Sequence, residues 1–368
     1  TILKMIKQEI ASSGVNNSNI FEKNYSHISQ TGVNLTAALM YEELKQFSDG
    51  KEKCYLFLDE VQEIDGWERV INTILEGGNA DIYITGSNSK LMSSEISTYL
   101  TGRYITIPVY PLSFKEFLSF KNIPESKAKE KIEEYIRLGG FPIIATSDFD
   151  DKSAYQIVEG IYSSVITKDI SKRHKITDID LFDRVVRYII ENMGKTFSSN
   201  SIVKFLKGEQ RKFSVETVYN YLKWLSEAFI IYPCKRYDLQ GKQVLQTQEK
   251  YYLSDVAFKY SQFGFNGKMV SAVMENIVFL ELKRRGYEVN IGKNGTKEID
   301  FIASKRDEKI YVQVCRTIPE GSEREYDNLA EIKDNYPKYI VSLDTFAGGN
   351  DNGIKSVNLA DFLLSKEY

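Results

Sequence analysis

The sequence predicts a multidomain α/β protein, and three observations predict it. The 368 residues are too many for one typical domain, so two or three are expected. Toward the N-terminus, short apolar runs alternate with helical stripes, the pattern of a parallel sheet covered on both faces. Strand-like runs return near the C-terminus, after a mainly helical stretch that closes in a helix-turn-helix and a hairpin.

The elements follow in order. "TILKMIKQEIASSGV" places Leu3, Ile6 and Ile10 at helical spacing and ends toward Gly14. Residues 15–34 are polar, with a short strand expected at Ile20-Phe21. "NLTAALMYEELKQFSDG" is a helix closed by Gly50, and "KCYLFLDE" is a buried strand. In "DGWERVINTILEGG", Trp67, Val70, Ile71, Ile74 and Leu75 form one apolar helical stripe. "ADIYITGSNS" and "YITIPVYP" are two further expected strands. From "SFKEFLSF" to about Met193 the chain reads as helical, broken by "GGFP" at 139–142. Two helices follow, the second carrying Val218, Leu222 and Leu225, and then strand-like runs around a turn at Gly241. That is a winged-helix pattern. The chain closes with the helix "SAVMENIVFLELKRRGY", the strands "EVNIGK", "KEIDFIAS" and "KIYVQVCR", the helix "EREYDNLAEIKDNY" and the strand "KYIVSLD".

Composition excludes several classes. Apolar content of 42% and charged content of 27% are ordinary for a soluble globular protein. A net charge of -3 gives no overall basic field, so any nucleic-acid surface must be local. Cys54, Cys234 and Cys315 are far apart and lack metal spacing, which suits a reducing compartment. His27 and His174 cannot make a histidine-rich zinc site. No apolar run reaches the roughly 18 residues of a membrane span, and no signal peptide opens the chain. The expectation is a cytoplasmic protein without a membrane partner.

The chemistry concentrates first at "CYLFLDE". At the C-terminal edge of a strand, the successive acids Asp59 and Glu60 can both reach the crevice. One would hold Mg²⁺ through its water shell, and the next would polarise an attacking water. An exposed loop start explains the pair equally well. Thr85, Ser87 and Asn88 end the next strand, where a polar side chain would orient the same water, although a turn also favours these residues. Arg103 would meet phosphate charge, directly or from a neighbouring subunit of a homo-oligomer, or sit in a surface salt bridge.

With "YLFLDEVQEIDGWERVINTIL" and "IYITGSNSKLMSSEISTYLTGRYITIPVYPLSFKEFL", the chain resembles the prokaryotic AAA-type P-loop ATPases with a C-terminal DUF4143 region. The resemblance continues through "RLGGFP", "VYNYLKWLSEAFII", "YYLSDVAF", "ENIVFLELKRRGYEV", "EIDFIA" and "NYPKYIVSLD" and covers nearly the whole chain. It implies ATP and Mg²⁺ as cofactors. In that family the phosphate loop, G-K-[ST]-T-hydrophobic, directly precedes residues like "TILKMI". By this resemblance Thr1 is the Mg²⁺-binding hydroxyl residue or the residue after it, and the loop is expected upstream of Thr1. No G-x-x-x-x-G-K-[ST] occurs in the 368 residues.

The C-terminal strands raise a second possibility. Alternation places Ile299, Phe301 and Ala303 on one face of their strand and Glu298, Asp300 and Ile302 on the other. In the next strand it sets Ile310, Val312 and Val314 against Tyr311, Gln313 and Cys315. Asp300, Gln313 and Cys315 are then expected to converge, with Glu275 joining from the preceding helix. The set looks like the PD-(D/E)xK nuclease core, a restriction-endonuclease-like α/β domain. It departs twice: Gln313 stands where an acid is usual, and Cys315 where lysine belongs. The expected outcome is an inactive, vestigial metal site on a retained scaffold. Lys204, Lys207, Arg211, Lys212, Lys223, Lys235 and Arg236 make the winged-helix segment locally basic, suited to DNA phosphates or to plain solvation.

The expected organisation is an ATPase core at 1–120, a helical region at 121–195, a winged helix at 196–262 and a nuclease-like domain at 263–368. The expected function is an ATP- and Mg²⁺-dependent switch or motor acting on DNA, with these 368 residues unable to hydrolyse ATP without the loop. Asp59 would be the metal acid and Glu60 the water-activating acid, Ser87 or Asn88 a sensor, and Arg103 the compensating charge. Two other readings stand beside it: a DNA-binding or regulatory module with a vestigial ATPase site, and a metal-dependent DNA nuclease.

Overall fold

The structure, a computed structural model, describes residues 2–26, 35–87, 100, 102–207, 214–318, 323–344 and 348–368. The chain forms two compact units, Thr1–Pro108 and Val109–Tyr368. The compact first unit thus closes at Pro108, a little upstream of the residue 120 expected for the end of the ATPase core. "YPLSFKEFL" already contributes Leu112, Phe114 and Phe117 to the core of the second unit, which draws the boundary upstream.

The first unit holds three parallel strands, β1 (Ile20–Asn24), β2 (Cys54–Asp59) and β3 (Ala80–Ile84), in that spatial order. Helices Ile2–Ser12, Ala37–Ser48 and Trp67–Glu76 accompany them. Thr36 caps the second helix by accepting from the Leu39 N–H. The expected stripe of the third helix packs as read: Trp67, Val70, Ile71 and Ile74 are buried in one cluster with Leu56, Leu58, Met40 and Leu44. Burial of each large apolar side chain stabilises by about 1.5–3 kcal/mol. On β2 the alternate residue Phe57 turns the other way and stacks on Tyr83 with ring centroids 4.8 Å apart.

The expected strand "YITIPVYP" does not form. Residues 104–110 have no strand partner among the described residues, and Ile105 and Ile107 are 89% and 78% exposed. Alternating β-branched residues make a strand only where a neighbour offers backbone hydrogen bonds.

The second unit carries a nine-stranded sheet. Its strands are β4 (Thr196–Phe197), β5 (Ile231–Asp238), β6 (Gln243–Leu253), β7 (Glu288–Asn294), β8 (Lys297–Lys305), β9 (Glu308–Val314), β10 (Lys338–Ser342), β11 (Asn350–Asp351) and β12 (Ile354–Asn358). The spatial order is β11-β12-β10-β9-β8-β7-β5-β6-β4. Helices Ser199–Lys207 and Val215–Glu227 precede the β5–β6 hairpin, and β5 pairs in parallel with β7. The hairpin expected to belong to a separate winged helix thus continues the C-terminal sheet. One apolar core runs from Leu112 through Phe182, Leu222 and Phe279 to Leu363. The segments expected as three domains form one unit.

The phase of β8 also differs from simple alternation. Ile299 and Ile302 lie in one apolar cluster, while Phe301 and Ala303 lie in the other. The register with β7 shifts between Asn290 and Gly292, which pair with Ile302 and Ile299, so an extra residue intervenes at 300–301. Such a bulge reverses the inward and outward sense of every residue beyond it.

Candidate functional site

Asp59 closes β2 directly opposite Asn24, the last residue of β1. Its Oδ2 accepts a hydrogen bond from Asn24 Nδ2 at 2.5 Å, and its Oδ1 accepts one from the Thr85 hydroxyl. The carboxylate is therefore held from the strands on both sides. Glu60 follows with φ 57° and ψ 45°, a left-handed backbone. Outside glycine and asparagine this conformation costs about 1–2 kcal/mol. It turns the chain so that Val61 enters the core while the Glu60 side chain stays at the strand ends. There Glu60 Oε2 accepts hydrogen bonds from Gln62 Nε2 and, at 3.2 Å, from the Ser87 hydroxyl.

The acids predicted from the sequence thus stand side by side with distinct partner sets. Ser87 donates to Glu60, whereas Thr85 donates to Asp59. Arg103 does not join them: its guanidinium donates to Asn72 Oδ1 at 3.3 Å, on the exposed side of the helix Trp67–Glu76. Thr1 and Asn88 lie outside the described residues. Asn24 and Gln62 were missed. Asn24 carries no local signal, because it ends a strand, Ile-Phe-Glu-Lys-Asn, that is only partly apolar, and it matters only by standing opposite Asp59.

A second polar constellation lies in the C-terminal unit. Past the pair Phe301–Val312, the β8–β9 ladder ends, and side chains replace it. The Asp300 N–H donates to Gln313 Oε1 at 3.3 Å, and the Val314 N–H donates to Asp300 Oδ2 at 2.8 Å. Lys250 of β6 places Nζ 2.9 Å from Glu275 Oε1, 2.9 Å from Glu298 Oε1 and 3.8 Å from Asp300 Oδ1. The Tyr252 hydroxyl also donates to Glu275. Burial and the neighbouring Glu275 push Asp300 above the usual carboxylate range. For Lys250, burial would lower the pKa, but Glu275, Asp300 and Glu298 outweigh it and keep the ammonium charged.

Glu275, Glu298 and Asp300 gather around Lys250, a lysine that the sequence pattern did not single out, and Gln313 accepts from the Asp300 N–H. Cys315 packs against the cluster of Ile299, Ile302 and Tyr311. Among the described residues, no group of three or more histidine, cysteine or acidic side chains is arranged to hold a metal ion. No helix among them is long and apolar enough to cross a membrane.

An α/β unit with acids at the end of a central parallel strand defines a class, and comparison with known proteins agrees. Residues 1–118 match the family model described as an AAA domain, so the N-terminal unit is an AAA-type domain of the P-loop NTPase class. Residues 129–268 match a domain of unknown function, DUF8612, and not the DUF4143 region the resemblance suggested. The chain is 36% identical over 365 residues to an uncharacterized protein of Haemophilus influenzae, covering 99% of this chain and 90% of that one. It belongs to that protein's family. An uncharacterized protein of Methanocaldococcus jannaschii is 32% identical over 349 residues, which span 89% of this chain and 76% of the relative. Among solved structures, a Walker-type ATPase of Pyrococcus abyssi aligns over 62% of this chain and 68% of its own, at 15% identity and a TM-score of 0.40.

Proposed function

We propose that the protein is an ATP- and Mg²⁺-dependent switch, with DNA as the client of its second unit. The observation that carries the nucleotide reading is the pair Asp59 and Glu60, each oriented by its own polar partners at the C-terminal edge of the parallel sheet. The donor set suits a hydrated divalent cation: Asp59 offers an oriented carboxylate with lone pairs beyond those engaged by Asn24 and Thr85. Mg²⁺, when bound, supplies charge neutralisation at the phosphate oxygens. Asp59 would hold it through its water shell, Glu60 would take a proton from a water, and Ser87 would keep Glu60 in place. Arg103 acts in this scheme only after leaving Asn72, or from a second copy of the chain.

These 368 residues supply no glycine-lysine cradle for the β- and γ-phosphates. Charge-assisted bonds of that kind contribute about 1.5–3 kcal/mol each. These 368 residues are therefore expected to bind ATP weakly and not hydrolyse it, and a chain that carries a glycine-lysine loop ahead of them to turn ATP over. Turnover assays on the two chains decide this. Tight ATP binding by the shorter chain, or a longer chain without turnover, refutes it. The DNA reading is supported by the basic residues around the helix pair Ser199–Lys207 and Val215–Glu227 and by the adjoining hairpin, a winged-helix-like succession.

A further inference from the structure

Glu60 is followed by a single 3-10 turn, Val61–Glu63. The turn is pinned at both ends. Val61 and Ile64 are buried in the core of the first unit, the Ile64 N–H donates to the Val61 carbonyl at 3.0 Å, and the Val61 N–H donates to the Thr85 carbonyl at 3.4 Å. Gln62 sits between these anchors, and its Nε2 donates to Glu60 Oε2. The Ser87 hydroxyl donates to the same oxygen at 3.2 Å and lies 3.4 Å from Gln62 Nε2. Glu60 Oε2 thus carries two donors from two separate segments, whereas its Oε1 accepts none among the described residues.

Two features of this arrangement are unfavourable in themselves. The first is the left-handed backbone of Glu60. The second is Gln62 Oε1, which is buried and accepts no hydrogen bond among the described residues. A buried acceptor left unpaired is destabilising. Turning the amide over would not relieve it, because its carbonyl oxygen would then face the Glu60 carboxylate, acceptor against acceptor. Glu60 therefore holds the amide in the orientation that leaves Oε1 unpaired. Strained backbone and unpaired polar groups gather where function outweighs stability.

We infer that Gln62 is a positioning residue for ATP hydrolysis: with Ser87 it clamps Oε2 of Glu60 and leaves Oε1 as the oxygen that takes a proton from the attacking water. This role presupposes the nucleotide reading of the first unit. In the step, the water oxygen bonds to the γ-phosphorus while one water proton passes to Glu60 Oε1. The bond from that phosphorus to the β,γ-bridging oxygen breaks, and its electron pair leaves with ADP. A carboxylate free to turn would present either oxygen over a range of positions, and two donors on one oxygen fix the place of the other. Gln62 touches Glu60 and not the nucleotide, so its loss acts on the chemical step and spares binding.

Gln62→Met and Gln62→Leu remove both amide atoms while filling the space, and two measurements test them. The first is thermal melting of the 368-residue chain without nucleotide. Both variants should melt at or above the wild-type temperature, since the unpaired buried oxygen is gone and half-buried Glu60 keeps Ser87 and solvent as partners. The second is steady-state ATP turnover and ATP binding by a chain that carries a glycine-lysine loop ahead of Thr1. There kcat should fall by about 10²-fold in both variants, while KM and ATP affinity stay at their wild-type values. Wild-type turnover that both variants match overturns the role of Gln62 and leaves the nucleotide reading standing. Melting well below the wild type in both variants also overturns it, by making Gln62 a residue of the fold. A wild-type chain with the loop that neither binds nor hydrolyses ATP removes the nucleotide reading itself, and the role of Gln62 with it.

Discussion

The carboxylate of Asp255 accepts the backbone N–H of Gly140 at 2.8 Å across 115 positions of sequence. The same side chain caps its own turn by accepting from the Ala257 N–H at 2.8 Å. It thereby joins the "RLGGFP" and "YYLSDVAF" motifs. Gly139 has φ +71°, and a Cβ there would lie 1.9 Å from Asp255 Oδ1. At Gly140 a Cβ would lie 2.3 Å from the Leu112 carbonyl. Both glycines are fixed by close approach, so Gly139→Ala should destabilise the second unit by about 2–4 kcal/mol through steric clash and left-handed strain. Urea unfolding followed by Trp224 fluorescence measures this, and a wild-type midpoint would contradict it.

Asp255 also sets a pH dependence. Burial pushes its carboxyl up to about 7, against the pull of the two N–H bonds, from an ordinary 3.8. The folded chain therefore keeps this proton over a range where the unfolded chain has lost it. The resulting stability is complete below 3.8 and disappears as pH rises through about 7. Each unit of difference is worth about 1.4 kcal/mol. Asp255→Asn is neutral at every pH and should flatten that slope, although it leaves one N–H short of an acceptor. Urea midpoints for the two proteins across the acid-to-neutral range should diverge, and parallel profiles would rule the assignment out.

In a chain extended through the phosphate loop, Glu60→Gln should retain ATP binding while turnover collapses by about 10²–10⁴-fold, since an amide cannot accept the proton. Thr85→Val keeps the shape but removes the hydroxyl on Asp59. It should lower turnover more than it weakens ATP binding, and Thr85→Ser should recover it. Equal loss of folding stability in the valine and serine variants would make Thr85 a packing residue only.

For the second unit, the DNA proposal predicts mainly electrostatic binding. Arg211 and Lys212 lie outside the described residues, and their charge is read from the sequence alone. Replacing both by alanine should weaken binding to all sequences alike and lower the salt slope by about 0.9 for each phosphate that is no longer neutralised. Filter-binding isotherms at several salt concentrations provide the measurement. An unchanged slope would return these residues to ordinary solvation.

Much of the first unit was legible because its signals are local. The period-3.6 stripe of Trp67, Val70, Ile71 and Ile74 and the apolar run before Asp59 each declare their element without help from distant residues. The strand pattern at 104–110 misled for a complementary reason, because a strand is a property of a pair and its partner is written elsewhere. Asn24 escaped notice because its value lies in register with Asp59, which sequence spacing does not encode.

Residue pattern was enough to point to the α/β class and to the adjacent acids at the end of the second strand. What those groups face was settled by packing. A left-handed turn at Glu60 sends two adjacent acids to separate partners, and a bulge in β8 resets the faces beyond Asp300. A lysine from a hairpin expected to belong to another domain stands among the C-terminal acids. Local pattern fixes which way a side chain points along its own element, but the charge it meets is set by whichever element packs alongside. In a sheet ordered β8-β7-β5-β6, that neighbour comes from far away in the chain.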